Sequence, residues 1–453
     1  MKDSIHKTSI MQIIKFGGTS LGSAERIRIA ADIVREHNDC IVVCSAMSGM
    51  TNALVRVTEL WEQKGSSEAV CALQALRTDF YLRIADLLPE DNYMPAVAAL
   101  FDEVITLLKD IPCNELLKHR VIALGEQVTS GVFNSYLVFT GKSSVLLDAT
   151  TLLYLDKTQE PDVEDIARRL QSSPEYTSSG VYITQGFICR DVHGSICTLS
   201  RGGSDFTATL LGAASGAGKI EIWTDIDGMH NNDPRFVLHT EPIRELSYTE
   251  AAELAYFGAK ILHPSCVRPA REKGIPIAIK NTLQRNAPGT TIQSEAPAFG
   301  IRAIAAKDDI HILRITSGRM FNAYGFLARV FEIFREHKMA VDVVTTSEVS
   351  VSVTIESISG VLPLMLDLEK LGRVNLETQR TIICVVGDML RPGHMAGVMQ
   401  LVKDFDIRMV SLGASSNNIT FVLPAAQKAD ALNALHQLFQ PVKRAMETAQ
   451  QYN

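Results

Sequence analysis

The sequence has no apolar run approaching ~18 residues, so no membrane-spanning helix is predicted. The first ten residues are polar and hold no hydrophobic signal core, and export is not expected. Cysteine is sparse: Cys40, Cys44, Cys71, Cys113, Cys189, Cys197, Cys266 and Cys384 stand singly, and no two have CxxC spacing. They read as reduced core thiols rather than a zinc site or a disulfide framework, which points to the cytoplasm. An excess of positive charge is also missing. With 44 Lys and Arg against 51 Asp and Glu, the net charge is −7. That balance argues against a general nucleic-acid surface and leaves small molecules or proteins as ligands. The Walker order Gly-x-x-x-x-Gly-Lys-Ser/Thr is absent too. What remains is an ordinary globular composition, 46% hydrophobic and 21% charged, in a chain of 453 residues that suggests roughly two to four domains.

The stretch MQIIKFGGTSLG, residues 11–22, reads as a buried strand carrying Lys15 near its end, then Gly17 and Gly18, then a helix beginning near Ala24. Gly17 and Gly18 can take positive φ and let a ligand approach the main chain closely, while Thr19 or Ser20 can cap the helix. The helix N-terminus and the Lys15 ammonium together favour a bound phosphate, and an ordinary strand-to-helix turn accounts for the same residues. A helix at 24–37 and an apolar strand at 40–45 complete a βαβ unit. The loop SAMSGMTN, 45–52, follows at the carboxyl end of that strand, the edge where open α/β sheets bind ligands. Within it Thr51 either caps the next helix or touches substrate. Residues 53–118 are mostly helical, broken by Pro89, Pro95 and Pro112. In 124–136 Glu126 sits at a Gly-initiated helix start, where a carboxylate either complements the dipole or receives a substrate ammonium.

Strands are expected at 145–148 and 181–186, followed by CTLSRGGSDFTATLLGAA from Cys197. Arg201, Gly202, Gly203, Ser204 and Asp205 there repeat the strand, glycine pair, helix design with arginine in place of lysine. A planar cation beside a carboxylate in the first helical turn suits a zwitterion such as an amino acid. After a strand at 219–224, the loop with Asp225, Asp227, Gly228 and 229–235 holds ribose, adenine or a divalent cation, or is a solvated turn. A helix at 248–256 leads to FGAKILHP, where Lys260 either neutralises phosphate or serves a helix C-terminus. A strand at 276–281 and a loop at 286–291 end the first part, and 293–300 is linker-like. Beyond it two segments share one layout. Strands at 310–315 and 381–387 lead through Gly325 and Gly393 to helices at 326–337 and 394–405, then to strands at 340–345 and 407–413 and at 351–355 and 419–423. This repeat of about 70 residues in βαββ order predicts a pair of small α/β sandwiches.

Taken in order, KFGGTS, GMTN, LGE, RGGSD, WTDIDG, NDPR, FGAKILHP and VDVVTTSEVSVSVT resemble the aspartokinases over roughly residues 11–450. The resemblance implies an α/β fold. A three-layer αβα amino-acid-kinase domain with a mainly parallel sheet (11–295) would follow an N-terminal segment (1–10) and precede two βαββαβ ACT domains (300–378 and 379–453). It implies transfer of the γ-phosphoryl group of MgATP to the side-chain carboxylate of L-aspartate, giving 4-phospho-L-aspartate. That is the entry step to lysine, diaminopimelate, threonine and methionine biosynthesis. By motif, Lys15 and Asp205 would be catalytic. Lys15, Phe16, Gly17, Gly18, Thr224, Asp225, His230, Asp233, Arg235 and Lys260 would bind phosphate and ATP. Thr51, Glu126, Arg201 and Asp205 would hold aspartate, with Mg2+ carried by ATP and no protein metal site. Met320, Gly325, Phe326, Leu327, Asp342, Thr346 and Ser347 would form an effector site for lysine, or alternatively threonine, in a homodimer or dimer of dimers joined through ACT domains. This chain carries His230-Asn231 where the family usually has Tyr-Thr, and Ala323 and Ala340 where lysine-inhibited members commonly have serine.

Other acceptors within the amino-acid kinases (glutamate, acetylglutamate, carbamate, UMP) are the nearest alternatives, and the RGGSD loop and the ACT pair weigh against them. A silent amino-acid sensor would not need Lys15, Glu126, Arg201 and Asp205 together. A fused dehydrogenase is not expected, because the chain stops soon after the second repeat.

Overall fold

The structure, a computed structural model, describes residues 10–199, 202–258, 262–296, 300–320, 324–413 and 415–439. It divides into two compact units. The first takes the described residues of 1–229, 244–248 and 261–296, and the second those of 230–243, 249–260 and 297–453.

The first unit contains β1 (Gln12–Phe16), β2 (Cys40–Cys44), β3 (Val145–Leu147), β4 (Val181–Gln185), β5 (Ile188–Arg190), β6 (Ile196–Thr198), β7 (Lys219–Thr224), β8 (Glu245–Ser247), β9 (Ile277–Asn281) and β10 (Thr290–Gln293). Its helices are α1 (Ala24–Arg35), α2 (Met50–Lys64), α3 (Ser66–Ile84), α4 (Met94–Asp110), α5 (Glu115–Phe139), α6 (Ala149–Leu152), α7 (Val163–Ser172), α8 (Gly203–Ser215) and, after α9 (Tyr248–Tyr256) at the crossing to the second unit, α10 (Pro264–Lys273). Among the described residues the main sheet runs β3-β4-β2-β1-β7-β9-β10-β8, and β5 and β6 form a separate hairpin. Neighbours are parallel except β9 and β10, as expected when helices cross over between strands.

β1 is buried on both faces, and this accounts for its run of apolar residues. Ile14 and Phe16 face a core shared with α1, α2, α3, α4 and α5. Ile13 and Lys15 alternate to the other face, where α8 lies so close that a Cβ on Gly212 would sit 3.4 Å from Ile13 Cγ1 and 2.7 Å from Ile220 Cδ1. Each fully buried side chain of this size contributes about 1.5–3 kcal/mol. The result is the expected three-layer arrangement.

In the second unit, β11 (Ile301–Thr316), β12 (Val344–Thr346), β13 (Ser350–Ile355), β14 (Arg373–Gly387), β15 (Met409–Leu412) and β16 (Asn418–Pro424) form an antiparallel sheet in the order β12-β13-β11-β14-β16-β15. The long β11 and β14 pair throughout, with register shifts between Lys307 and Ile312. Asp309 and Gln379 have positive φ beside the irregularity (58° and 56°). On one side of this break Leu313 and Ile315 pack with α11 (Phe326–Glu336) and α12 (Val361–Glu369). On the other, Ile304, Ile383 and Val385 pack with α13 (His394–Val402) and α14 (Lys428–His436). The strand at 310–315 is thus the second half of a much longer one, and the linker-like stretch ends directly at β11. Among the described residues no helix is long and apolar enough to cross a membrane.

Candidate active site

The carboxyl ends of β1, β2, β4 and β7 lie side by side, so the loops that leave them share one edge. Lys15 stands one residue before the end of β1 on the face toward α8, and it is 8% exposed. Asp205, in the first turn of α8, lies two helical turns before the close contact at Gly212. The α8 direction therefore brings its carboxylate over Lys15, and Nζ and Oδ1 meet at 2.5 Å. This is an ion contact rather than an aligned hydrogen bond.

Gly17 and Gly18 correct an expectation. Gly17 has φ −69°, and Gly18 opens a short 3-10 helix; neither takes positive φ. Gly18 is needed for space instead, since a Cβ there would stand 2.6 Å from the Ala46 carbonyl oxygen on the β2 loop. Ser48 N–H donates to Gly18 O at 3.0 Å, and Gly17 N–H to Trp223 O at 3.0 Å, so the β1 loop is tied to both neighbours. The cap also differs. Ser23 accepts from Arg26 N–H at the start of α1, and Ser20 Oγ instead bonds Trp223 O and Thr282 Oγ1.

The second glycine pair has the conformation only glycine tolerates twice in succession, with φ +74° at Gly202 and +48° at Gly203. No side chain caps α8 at Gly202 or α2 at Gly49, which leaves two helix N-termini at this edge open to an anion. Thr51, the second residue of α2, is therefore not its cap. Thr224 ends β7 and Asp225 follows it, Thr224 Oγ1 donating to Asp225 Oδ1 at 3.1 Å.

Glu126 corrects a second expectation: it lies deep within α5 rather than at a helix start. Gly125 lets α5 press against the β2 loop, where a Cβ would come within 2.8 Å of Ala46 Cβ. Glu126 is 3% exposed; Oε1 accepts from Ala46 N–H at 3.3 Å, and Oε2 is buried with no hydrogen-bond partner among the described residues. Burial pushes its carboxyl up to about 7, against the pull of the Ala46 N–H. Thr129, one turn later, accepts from Met47 N–H at 3.3 Å and fixes the same loop. No local pattern in the sequence marks Phe187. It takes φ +67° just past β4, its N–H donates to Thr207 Oγ1 at 2.9 Å, and its ring lies against Gly203.

Lys15, Phe16, Gly17, Gly18, Thr51, Glu126, Asp205, Thr224 and Asp225 all belong to the first unit. Arg201 and Lys260 lie outside the described residues. His230, Asp233 and Arg235 belong to the second unit, where His230 Nδ1 shares a hydrogen bond with Thr240 Oγ1 at 2.9 Å and Arg235 pairs with Asp233 at 2.7 Å. In the same unit Met320 packs on the first sandwich core. Gly325 (φ +81°) caps α11, which Phe326 and Leu327 open, while Thr346 ends β12 and Ser347 Oγ bonds Ser350 Oγ at 2.7 Å. Asp342 is the best connected of this group. Its Oδ2 accepts from Lys307 Nζ at 3.1 Å and its Oδ1 from the Tyr256 hydroxyl at 2.6 Å.

The amino acid kinase family model matches residues 11–281, and an ACT domain model matches 383–439. Lysine-sensitive aspartokinase 3 of Escherichia coli K12 is 32% identical over 94% of this chain and 98% of its own. Aspartokinase 1, chloroplastic, of Arabidopsis thaliana is 34% identical over 96% of this chain and 81% of its own. The chain belongs to the aspartokinase family. Among solved structures, E. coli aspartokinase III in complex with aspartate and ADP (R-state) matches with a TM-score of 0.84 at 31% identity, covering 94% of this chain and 99% of that one. E. coli aspartokinase III in complex with lysine and aspartate (T-state) matches with a TM-score of 0.78 at 31% identity, covering 95% and 99%. The amino-acid-kinase fold with a C-terminal ACT region accordingly extends across this aspartokinase chain.

Proposed function

We propose that this chain transfers the γ-phosphoryl group of ATP to the side-chain carboxylate of L-aspartate, forming 4-phospho-L-aspartate. The observation that carries the reading is the Lys15–Asp205 pair, which joins the first glycine loop to the second at one edge of the sheet. An aspartate carboxylate is already ionised near neutrality and needs no general base, so the protein's task is positioning and neutralisation of phosphate charge. Lys15 neutralises the transferred phosphoryl group, and Phe16, Gly17 and Gly18 bring backbone alongside it. Thr224 and Asp225 serve the nucleotide, a role that the family motifs also give to His230, Asp233, Arg235 and Lys260. Arg201 takes a substrate carboxylate, Thr51 adds a hydroxyl, and Glu126 receives the ammonium. The unpartnered Glu126 Oε2 supports this last role, because a buried carboxylate oxygen gains most from an arriving cation.

Mg2+ enters with the nucleotide phosphates. Mg2+ commonly keeps several waters and rests on substrate phosphates plus one or two carboxylates. The reaction runs in the cytoplasm, as eight free thiols suit a reducing compartment. Lysine acts as effector through Asp342 and the residues around it, in a homodimer or dimer of dimers joined through two ACT domains that follow a catalytic domain at 11–295. Their bounds are 300–378 and 379–453 except for the start of β11, where Ile304 packs with α13 and α14.

Purified protein incubated with ATP, Mg2+ and aspartate in hydroxylamine is expected to yield aspartyl hydroxamate. Glutamate, acetylglutamate, carbamate and UMP are expected to yield no phosphorylated product in a coupled assay. Turnover of one of those acceptors, with none of aspartate, overturns the reading. Lysine, threonine and methionine added singly then identify the effector.

A further inference from the structure

The hairpin of β5 and β6 places two cysteines directly across from one another. Cys189 and Cys197 are register partners, their Sγ atoms 3.2 Å apart, and both are free thiols. We propose that Cys189 and Cys197 are a reversible disulfide site, closed by peroxide, whose formation weakens aspartate binding.

Both thiols are buried, Cys189 completely and Cys197 with 7% of its surface exposed, so Cys197 is the one a small oxidant reaches. The hydrogen bond between the two thiols holds the Cys197 thiol below its ordinary range, against the effect of burial, while the same bond and burial push Cys189 up. Cys197 is thus the nucleophile and Cys189 the resolving thiol. The Cys197 thiolate attacks one peroxide oxygen, the O–O bond breaks, hydroxide leaves, and Cys197 becomes a sulfenic acid. Cys189 then attacks that sulfur, the S–O bond breaks, and the oxygen departs as water with the Cys189 proton. The sum is two thiols and one hydrogen peroxide giving one disulfide and two waters.

Opposed residues of an antiparallel pair have Cβ atoms about 4.5–5.5 Å apart, whereas a disulfide holds them at about 3.8 Å. Closure therefore draws the two strands together. The hairpin is tied to both elements that carry acidic substrate contacts. Thr198 Oγ1 on β6 bonds His119 Nδ1 on α5, the helix of Glu126, at 2.9 Å. Leu199 N–H bonds Phe187 O at 2.8 Å, and Phe187 N–H bonds Thr207 Oγ1 on α8, the helix of Asp205. A contraction by about 1 Å at Cys197 thus acts on both helices at once.

The experiment treats the full chain with hydrogen peroxide, then measures the tryptic map and the aspartate KM before and after dithiothreitol. The expected result is a peptide linked through residues 189 and 197 and a KM raised at least fivefold, both reversed by dithiothreitol. Cys189→Ser and Cys197→Ser, which retain exposed Cys71 as an oxidation control, are expected to show neither change. Absence of the linked peptide when Cys71 is oxidised overturns the proposal, as does a linked peptide with an unchanged KM. Loss of activity in both serine variants to the same extent as in the parent assigns the effect to other thiols and also overturns it. Turnover of the untreated protein tests the aspartokinase reading separately.

Discussion

Lys15 Nζ and Asp205 Oδ1 lie 2.5 Å apart, with side chains 10% and 16% exposed, and they belong to β1 and α8, elements far apart along the chain. Little water screens a pair this buried, so the carboxylate fixes where the ammonium points before any ligand arrives. An ammonium so held costs little reorganisation when phosphate charge develops beside it.

Lys15→Ala is accordingly expected to lower kcat at least a hundredfold, since one charge-stabilising donor is typically worth about 2.7–4 kcal/mol of barrier. Circular dichroism should report a folded protein. Near-normal turnover removes Lys15 from the phosphoryl site.

Glu126, pushed up to about 7 by burial, makes aspartate binding depend on pH. Its ionised fraction falls between pH 8 and 6, so the aspartate KM should rise several-fold as pH falls, and Glu126→Gln should show a high KM with a flattened profile. Stability carries the opposite sign. The folded value lies above the ordinary 4.5, so the contribution is complete below about pH 4.5 and is lost as pH rises through 7. Urea midpoints should therefore favour Glu126→Gln over the parent more at pH 8 than at pH 5, by on the order of 3 kcal/mol. Equal pH dependence in both proteins contradicts the assignment.

Gly17 and Gly18, adjacent in sequence, should respond differently to alanine. At Gly18 the new Cβ meets the Ala46 carbonyl at 2.6 Å, and a loss of about 1–3 kcal/mol is expected. At Gly17, with φ −69° and its nearest neighbour at 3.6 Å, stability should change by less than about 0.5 kcal/mol. Thermal melts decide, and a reversed order shows that the loop does not press on the β2 loop in solution.

Asp342→Asn removes a charge that Lys307 already uses and that an effector ammonium would need. Lysine inhibition should weaken at least tenfold, with turnover in the absence of lysine within twofold of the parent. Calorimetry showing parental lysine affinity in the variant moves the effector site elsewhere.

Local pattern made much of the fold legible. The runs at 219–224 and 248–256 coincide with β7 and α9, because a strand alternating polar and apolar residues, KIEIWT, and a helix of clear period each state their type within a few residues. Short strands such as β8, at the sheet edge, and β10, between β9 and β8, are not legible in the sequence, since three or four residues carry too little periodicity, and the loop expected at 286–291 overlaps the first two residues of β10. The strand at 340–345 is only Val344–Thr346, because apolar residues there pack as coil against the first sandwich core. The charge of Glu126 is legible in the sequence but its place in α5 is not, as the glycine before it serves close packing against Ala46 rather than a helix end.

By itself the sequence determined which residue types could do the chemistry, the two glycine loops, the repeat and the excess of acid, all properties of neighbours along the chain. Only the tertiary structure decided that Asp205 reaches Lys15, that Lys307 and Tyr256 share Asp342, and that Cys189 faces Cys197. Such contacts depend on strand order, register and helix direction. Those follow from burying all the apolar faces at once, a condition no single stretch of sequence contains.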